Sequence, residues 1–206
     1  MLRILGRVSS INVRKVLWTC DEIGLDYARE DWGSGFASTD APEFRALNPN
    51  GLVPVIEDEA GVLWESNTIC RYLAAKAGRA DLLPAEPSRR ALVEQWMDWQ
   101  STDLSNASRG PFVGIVRGDP AFQDPHDRAA GIRRWGAAMA VLERQLASTG
   151  AYALGPVFSL ADIVLGLSVN RWLLTPMERP DYPAAAAYHA LLRQRPGFQA
   201  WGDDMP

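Results

Sequence analysis

Thiols and imidazoles are scarce in this chain. Its 206 residues include two cysteines, Cys20 and Cys70, and two histidines, His126 and His189. The cysteines form no Cys-x-x-Cys pair and each falls on an apolar helical stripe, so two reduced core thiols are expected rather than a redox pair. Neither histidine stands among other ligand-type residues at metal spacing, which argues against a zinc centre, and no metal is expected. Positive charge is also short: 21 Lys and Arg against 25 Asp and Glu give a formal net charge of −4. A nucleic-acid binder would show a basic footprint, so that class is set aside. No apolar run reaches the roughly 18 residues that a membrane span needs. Arg3 and Arg7 split the short apolar stretch of Met1 to Ser10, which therefore does not read as a signal peptide; a cytoplasmic location is the expectation. Internal repeats and low-complexity tracts are missing too.

With 47% hydrophobic and 22% charged residues the composition is that of a globular protein. The first 78 residues mix short strand-like segments with helical ones. Leu2 to Leu5 reads as a strand. From Asn12 the apolar residues Val13, Val16, Leu17, Cys20 and Ile23 mark a helical stripe that Gly24 ends. Asp26 to Asp31 reads as a second strand. Val53 to Glu57 and Val62 to Trp64 flank Asp58-Glu59-Ala60-Gly61 as a hairpin. Ser66 is then placed as the cap of a helix with the stripe Ile69, Cys70, Leu73 and Ala74. Pro84 and Pro87 fall in an aperiodic stretch, so residues 79–87 read as a linker. Everything from 88 to 206 reads as helical. Leu92, Trp96 and Trp99 are expected to share one face, and Ile132, Trp135, Met139, Leu142 and Leu146 another. Ser159 and Asp162 have the spacing of a capping box, with Phe158 and Ile163 as its apolar staple. That motif supports folding and does no chemistry.

The most telling stretch is Asn48-Pro49-Asn50-Gly51-Leu52-Val53-Pro54, followed by Glu65-Ser66. Proline cannot donate to a sheet ladder, so Pro54 belongs at a strand entrance or an edge. A cis bond to Val53 would turn the Val53 N–H and C=O outward to pair with an extended ligand, although only about 5–6% of X-Pro bonds are cis. A helix opening at Glu65-Ser66 offers free N–H groups and a partial positive charge, which suit a carboxylate. An edge that pairs with a peptide beside a helix end that takes its carboxylate describes a small-peptide site.

These residues carry a family resemblance. Asn48 to Asp58, Glu65 to Ala74 and Ser159-Leu160-Ala161-Asp162-Ile163 resemble the cytosolic glutathione transferases, and the run Ser9 to Trp18 is similar to bacterial Ser/Asn-type members, nu-like or theta-like. The match runs in order from Leu2 to Phe198. It implies an α/β thioredoxin-like N-terminal domain over 1–78 and an all-α domain over 88–206. It implies glutathione as co-substrate, a small apolar electrophile as second substrate, and a homodimer. Residue by residue, Val53 would pair its main chain with the cysteinyl unit beside Pro54. Glu65 would accept from the γ-glutamyl ammonium, and Ser66 would bind the γ-glutamyl carboxylate.

The chemistry would begin by making a thiolate. A cysteine-type thiol with pKa about 8.5 is only about 3% ionised at pH 7. Lowering that pKa by about 2 units requires about 2.7 kcal/mol of preferential anion stabilisation. A hydrogen bond to a charged acceptor supplies roughly 1.5–3 kcal/mol, and a helix N-terminus about 0.3–1 more. Ser10 and Asn12 lie where the first helix begins and are the expected donors, with Ser9 alongside. Whether Ser9 or Ser10 acts is left open by the spacing, and all three are residue types that favour a plain turn and N-cap. There is no tyrosine before Tyr27, so the tyrosine mechanism of animal classes cannot operate from this end. Leu52 departs from the family, many of whose members carry Lys or Arg there for the glycyl carboxylate; either Arg7, Arg14, Lys15 or another residue compensates, or glutathione binds more weakly. The helical domain is expected to contribute to the electrophile pocket through Trp99, Ser105 and Phe112, with Trp96 and Asn106 as further lining. Two other activities share these residues: a glutathione-dependent disulfide reductase or peroxidase, and a binding module without catalysis.

Overall fold

The computed structural model describes residues 1–203 and 206, in two units, Met1–Leu83 and Pro84–Pro206. The first contains, in order, β1 (Leu2–Leu5), α1 (Ile11–Ile23), β2 (Tyr27–Glu30), α2 (Pro42–Leu47), β3 (Val55–Asp58), β4 (Gly61–Trp64) and α3 (Ser66–Lys76). Its sheet has the order β2-β1-β3-β4. β1 runs parallel to β2 and antiparallel to β3, and β3 and β4 form an antiparallel hairpin from Val55↔Trp64 to Asp58↔Gly61. The parallel pair needs a crossover, and α1 supplies it. This is the thioredoxin-like arrangement, and with the helical second unit it gives the expected fold class.

The apolar periodicity marks the buried faces. Val13, Val16, Leu17 and Cys20 of α1 and Ile69, Cys70, Leu73 and Ala74 of α3 are all buried, and the two helices pack against each other. Gly24 adopts φ 67°, and its N–H bonds to Asp21 O at 3.2 Å. A left-handed C-cap of this kind favours glycine because it has no Cβ to clash. Helix α2 was not expected. It is six residues long with one buried side chain, Phe44, which joins Leu5 and Val55 in a cluster flanked by Trp32, Leu47 and Val53. One anchor shows no periodicity. The residue at the N-cap of α3 is Glu65, with Ser66 the first helical residue, which corrects the placement by one position.

Both thiols are fully buried, and burial pushes them up, Cys70 to about 11. The thiolate is the reactive form. In the native protein a thiol reagent such as dithionitrobenzoate at pH 8 is therefore expected to titrate neither cysteine, and two after unfolding in guanidinium. Rapid native labelling of either would contradict this burial.

The second unit contains α4 (Pro87–Trp99), α5 (Ser105–Val116), α6 (Pro125–Thr149), α7 (Leu160–Leu174), α8 (Pro183–Leu192) and α9 (Pro196–Trp201). A π-helical turn over Gln100–Leu104 joins α4 to α5. Helix α7 is apolar around most of its circumference and almost wholly buried, as a central helix must be. Trp172 of α7 meets Trp135 of α6 edge-on at 5.0 Å. The buried stripe of α4 is Val93 and Met97, continued by Gln100 and Leu104, not Leu92, Trp96 and Trp99. Leu92 is 51% exposed, while the two tryptophans are half-buried and pack edge-on against each other at 5.2 Å. Their size lets them span the margin of the stripe.

Candidate functional site: a groove beside Val53

Three segments of the first unit meet at one groove: the start of α1, the loop before β3, and the β4–α3 junction. Asn12, Asn48, Asn50, Leu52, Val53, Pro54, Glu65 and Ser66 line it. Its enclosed volume is about 50 Å³, so a tripeptide would lie along it with one side chain or main-chain unit inserted. The Asn-Pro-Asn-Gly turn shapes one wall. Buried Asn48 donates through Nδ2 to Leu52 O at 2.7 Å and accepts at Oδ1 from Asn50 N at 3.0 Å. Gly51, at φ 63°, bonds its N–H to Asn48 O at 3.0 Å. That φ is what favours glycine here; the Arg45 guanidinium, 2.6 Å from where a Cβ would stand, is the end of a flexible side chain that can swing aside. Sequence reading of the site passed over Asn48 and Asn50, although the affinity of asparagine for turns is the signal that marks them.

The Val53–Pro54 bond is cis. Val53 precedes β3, and no described residue hydrogen-bonds its N–H or C=O. The β3–β4 register pairs Val55 with Trp64, which brings Glu65 and Ser66 alongside Pro54. Glu65 stands at φ 72°, ψ 106°, the one positive φ outside glycine among the described residues. Its side chain is exposed and does not cap α3, whereas Ser66 is buried to 7% exposure.

The helix starts set this groove apart. Helices α4 and α6 are capped by the carboxylates of Glu86 and Asp124, α7 by its capping box, and α2, α8 and α9 place a proline in the first turn. Proline has no N–H to satisfy. Only α1 and α3, among the described helices that start from a loop, begin with neither device, and both start at this groove. Asn12 is exposed on the first turn of α1 and lines it; Ser10 is the half-buried N-cap with no side-chain cap bond, and Ser9 is exposed one residue earlier. Neither serine belongs to the lining. Below them, Lys15 donates to Asn67 Oδ1 at 3.2 Å in a buried contact that ties α1 to α3. Arg14 is also fully buried, and burial lowers its guanidinium to about 10, which leaves it charged at neutral pH.

Residues 9–76 match the N-terminal domain of glutathione S-transferases. Over 201 residues the chain is 36% identical to glutathione S-transferase GstB of Escherichia coli, covering 97% of this chain and 96% of that protein. The chain belongs to the glutathione transferase family. Among solved structures it superposes on a theta class glutathione S-transferase from Xanthomonas axonopodis pv. citri with glutathione bound, with TM-score 0.91, 41% identity, and coverage of 98% and 97%. A probable elongation factor 1-gamma of Arabidopsis thaliana is also similar, at 31% identity over 77% of this chain, but the match covers only 38% of that protein.

In this glutathione transferase the residues expected to meet the electrophile lie in the helical unit, on α4 and α5. Trp99 is half-buried at the end of α4 against Trp96. Ser105 Oγ accepts from Gln100 Nε2 at 3.1 Å, and Gln100 also donates to Ser168 Oγ of α7 at 2.9 Å. Phe112 is 4% exposed, with the guanidinium carbon of Arg171 3.8 Å from its ring centre, so it acts first as packing for α5. Asn106 lines an open cavity, about 370 Å³ beside α5 and α6, together with Pro111, Phe122, Arg128 and Arg134. Among the described residues no helix is long and apolar enough to cross a membrane.

Proposed function

We propose that the protein transfers an alkyl or aryl group from a small hydrophobic electrophile to the sulfur of glutathione. One observation carries this reading: two uncapped helix starts and an unpaired stretch of backbone surround a single groove in a chain of the glutathione transferase family. The cysteinyl unit pairs with the Val53 main chain, Ser66 and the first N–H groups of α3 receive the γ-glutamyl carboxylate, and Glu65 accepts from the γ-glutamyl ammonium. That placement directs the thiol toward the start of α1. There Asn12 and Ser10 donate to the sulfur, so that the thiolate becomes the major form at neutral pH and attacks the electrophilic carbon as the leaving group departs. Two donors and a helix start together reach the roughly 2.7 kcal/mol that a two-unit pKa drop requires. The second substrate is held by the helical unit, and the working form is a cytoplasmic homodimer with a role in detoxification.

Replacing both Ser10 and Asn12 by alanine is expected to lower kcat/KM with 1-chloro-2,4-dinitrobenzene at least about tenfold, or about 1.4 kcal/mol. The thiolate absorbance of bound glutathione near neutral pH should fall in parallel. Unchanged turnover in the double variant would remove both residues from the mechanism.

A further inference from the structure

Among the described residues that line the groove there is one carboxylate, Glu65, and no Lys or Arg; the rest of the polar lining is three asparagines and a serine. Glutathione carries two carboxylates. The orientation of the peptide decides which of them is left without a partner. With the γ-glutamyl end at Ser66 and the cysteinyl unit antiparallel to Val53, the chain continues past Val53 toward Leu52, and the glycyl carboxylate comes to the Leu52 end. Leu52 is 64% exposed and cannot pair with an anion. None of the cations of this unit is among the groove's lining residues. Arg14 and Lys15 are 0% and 1% exposed. Arg45, whose guanidinium lies over Gly51, donates to Pro49 O at 2.6 Å and to Asp40 at 2.5 Å. Arg7 makes one long bond, from Nη1 to Ser34 O at 3.3 Å, and its buried Nε has no partner among the described residues. The Leu52 carbonyl is occupied as well, by Asn48.

We infer that this groove reads the γ-glutamyl-cysteinyl part of its thiol and leaves the C-terminal residue unread. Thiols of the γ-glutamylcysteine class, including γ-glutamylcysteine itself and glutathione derivatives altered at the glycyl carboxylate, then serve as co-substrates about as well as glutathione. This rests on the glutathione reading of the groove and names its substrate range. A charge-assisted bond to the glycyl carboxylate would separate glutathione from such analogues by roughly ten- to a hundredfold. Without it the separation disappears, while the γ-glutamyl end, held by Glu65 and Ser66, stays strictly required.

The test uses the full-length protein and 1-chloro-2,4-dinitrobenzene, comparing kcat/KM for glutathione, γ-glutamylcysteine, the glycyl ethyl ester of glutathione, and cysteinylglycine. The first three are expected to agree within about threefold, and cysteinylglycine to fall at least about a hundredfold. Leu52→Lys should raise the ratio of glutathione to γ-glutamylcysteine about tenfold at low ionic strength and lose that gain in high salt, because an exposed ion pair is screened. Leu52→Gln should leave the ratio where it is. A wild-type protein that uses glutathione but handles γ-glutamylcysteine more than about thirtyfold worse would overturn the inference and leave the glutathione reading intact. Absence of both calorimetric binding and turnover for all four thiols would overturn the two together.

Discussion

Asp162→Ala is expected to destabilise the protein by about 3–5 kcal/mol, the sum of several buried donors left without an acceptor at about 1–3 kcal/mol each. The Asp162 side chain is fully buried. It accepts from Ala153 N at 2.8 Å, Ser159 N at 2.9 Å, Ser159 Oγ at 3.1 Å and Tyr188 OH at 3.0 Å. Burial pushes its carboxyl above the usual carboxylate range, and these four donors oppose that push. Alanine would leave two buried N–H groups without their acceptor, each costing about 1–3 kcal/mol. The start of α7, the central helix, would lose the Asp162 half of its capping box, and Tyr188 of α8 would keep only its 3.2 Å contact with the main-chain O of residue 162. Asp162→Asn keeps an acceptor but turns an amide N–H₂ toward donors, so it should destabilise by less. For a chain of this length the alanine variant should melt roughly 6–20 °C lower. Denaturant unfolding of both variants checks this, and a loss under about 1 kcal/mol would show that the network carries little stability. Glutathione affinity of the protein that remains folded should be unaltered, since the residue supports the helical unit alone.

Glu65→Gly should move stability and binding in opposite directions. Glu65 holds φ 72° and ψ 106°, a region that disfavours a residue with a Cβ at a cost of order 1–3 kcal/mol. Glycine adopts it without that clash but loses more chain entropy on folding, about 0.5–1 kcal/mol. The net expectation is a gain of about 1 kcal/mol in stability. The same change removes the acceptor for the γ-glutamyl ammonium, a charged hydrogen bond worth about 1.5–3 kcal/mol, so affinity for glutathione should fall roughly ten- to a hundredfold. Glu65→Gln separates the two effects: it keeps the backbone conformation, gains no stability and still weakens binding. Calorimetry and thermal melts on the three proteins decide the matter. A Glu65→Gly variant that binds glutathione as before would take the residue out of the site, and one that loses stability would mean that the side chain supports the fold.

The first unit was largely legible in the sequence because its elements declare themselves locally. The α1 stripe and Gly24, the β3–β4 hairpin and the α3 stripe each arise from short-range periodicity and turn chemistry. What escaped was non-local. Helix α2 depends on Phe44 finding Leu5 and Val55, and no pattern within six residues shows that. The α4 face was misjudged by one position because tryptophans 96 and 99 read as core while their size lets them sit at its margin. In the groove, Pro54 and the Glu65-Ser66 pair were visible as motifs, yet the cis bond to Pro54 runs against the local preference and the positive φ of Glu65 has no local signal. The supporting bonds of Asn48 and the Lys15–Asn67 contact join residues whose proximity only the fold creates. Leu52 was readable as a departure; that no Lys or Arg is among the groove's described lining residues became visible only with the side chains in place.

A crystal structure of the protein soaked with glutathione tests the central claim most directly. The account predicts the cysteinyl unit hydrogen-bonded through both its N–H and C=O to Val53, with the sulfur within bonding distance of Asn12 or Ser10 at the head of α1. Glutathione bound with its sulfur away from that helix start, or with the Val53 main chain still unpaired, would contradict it.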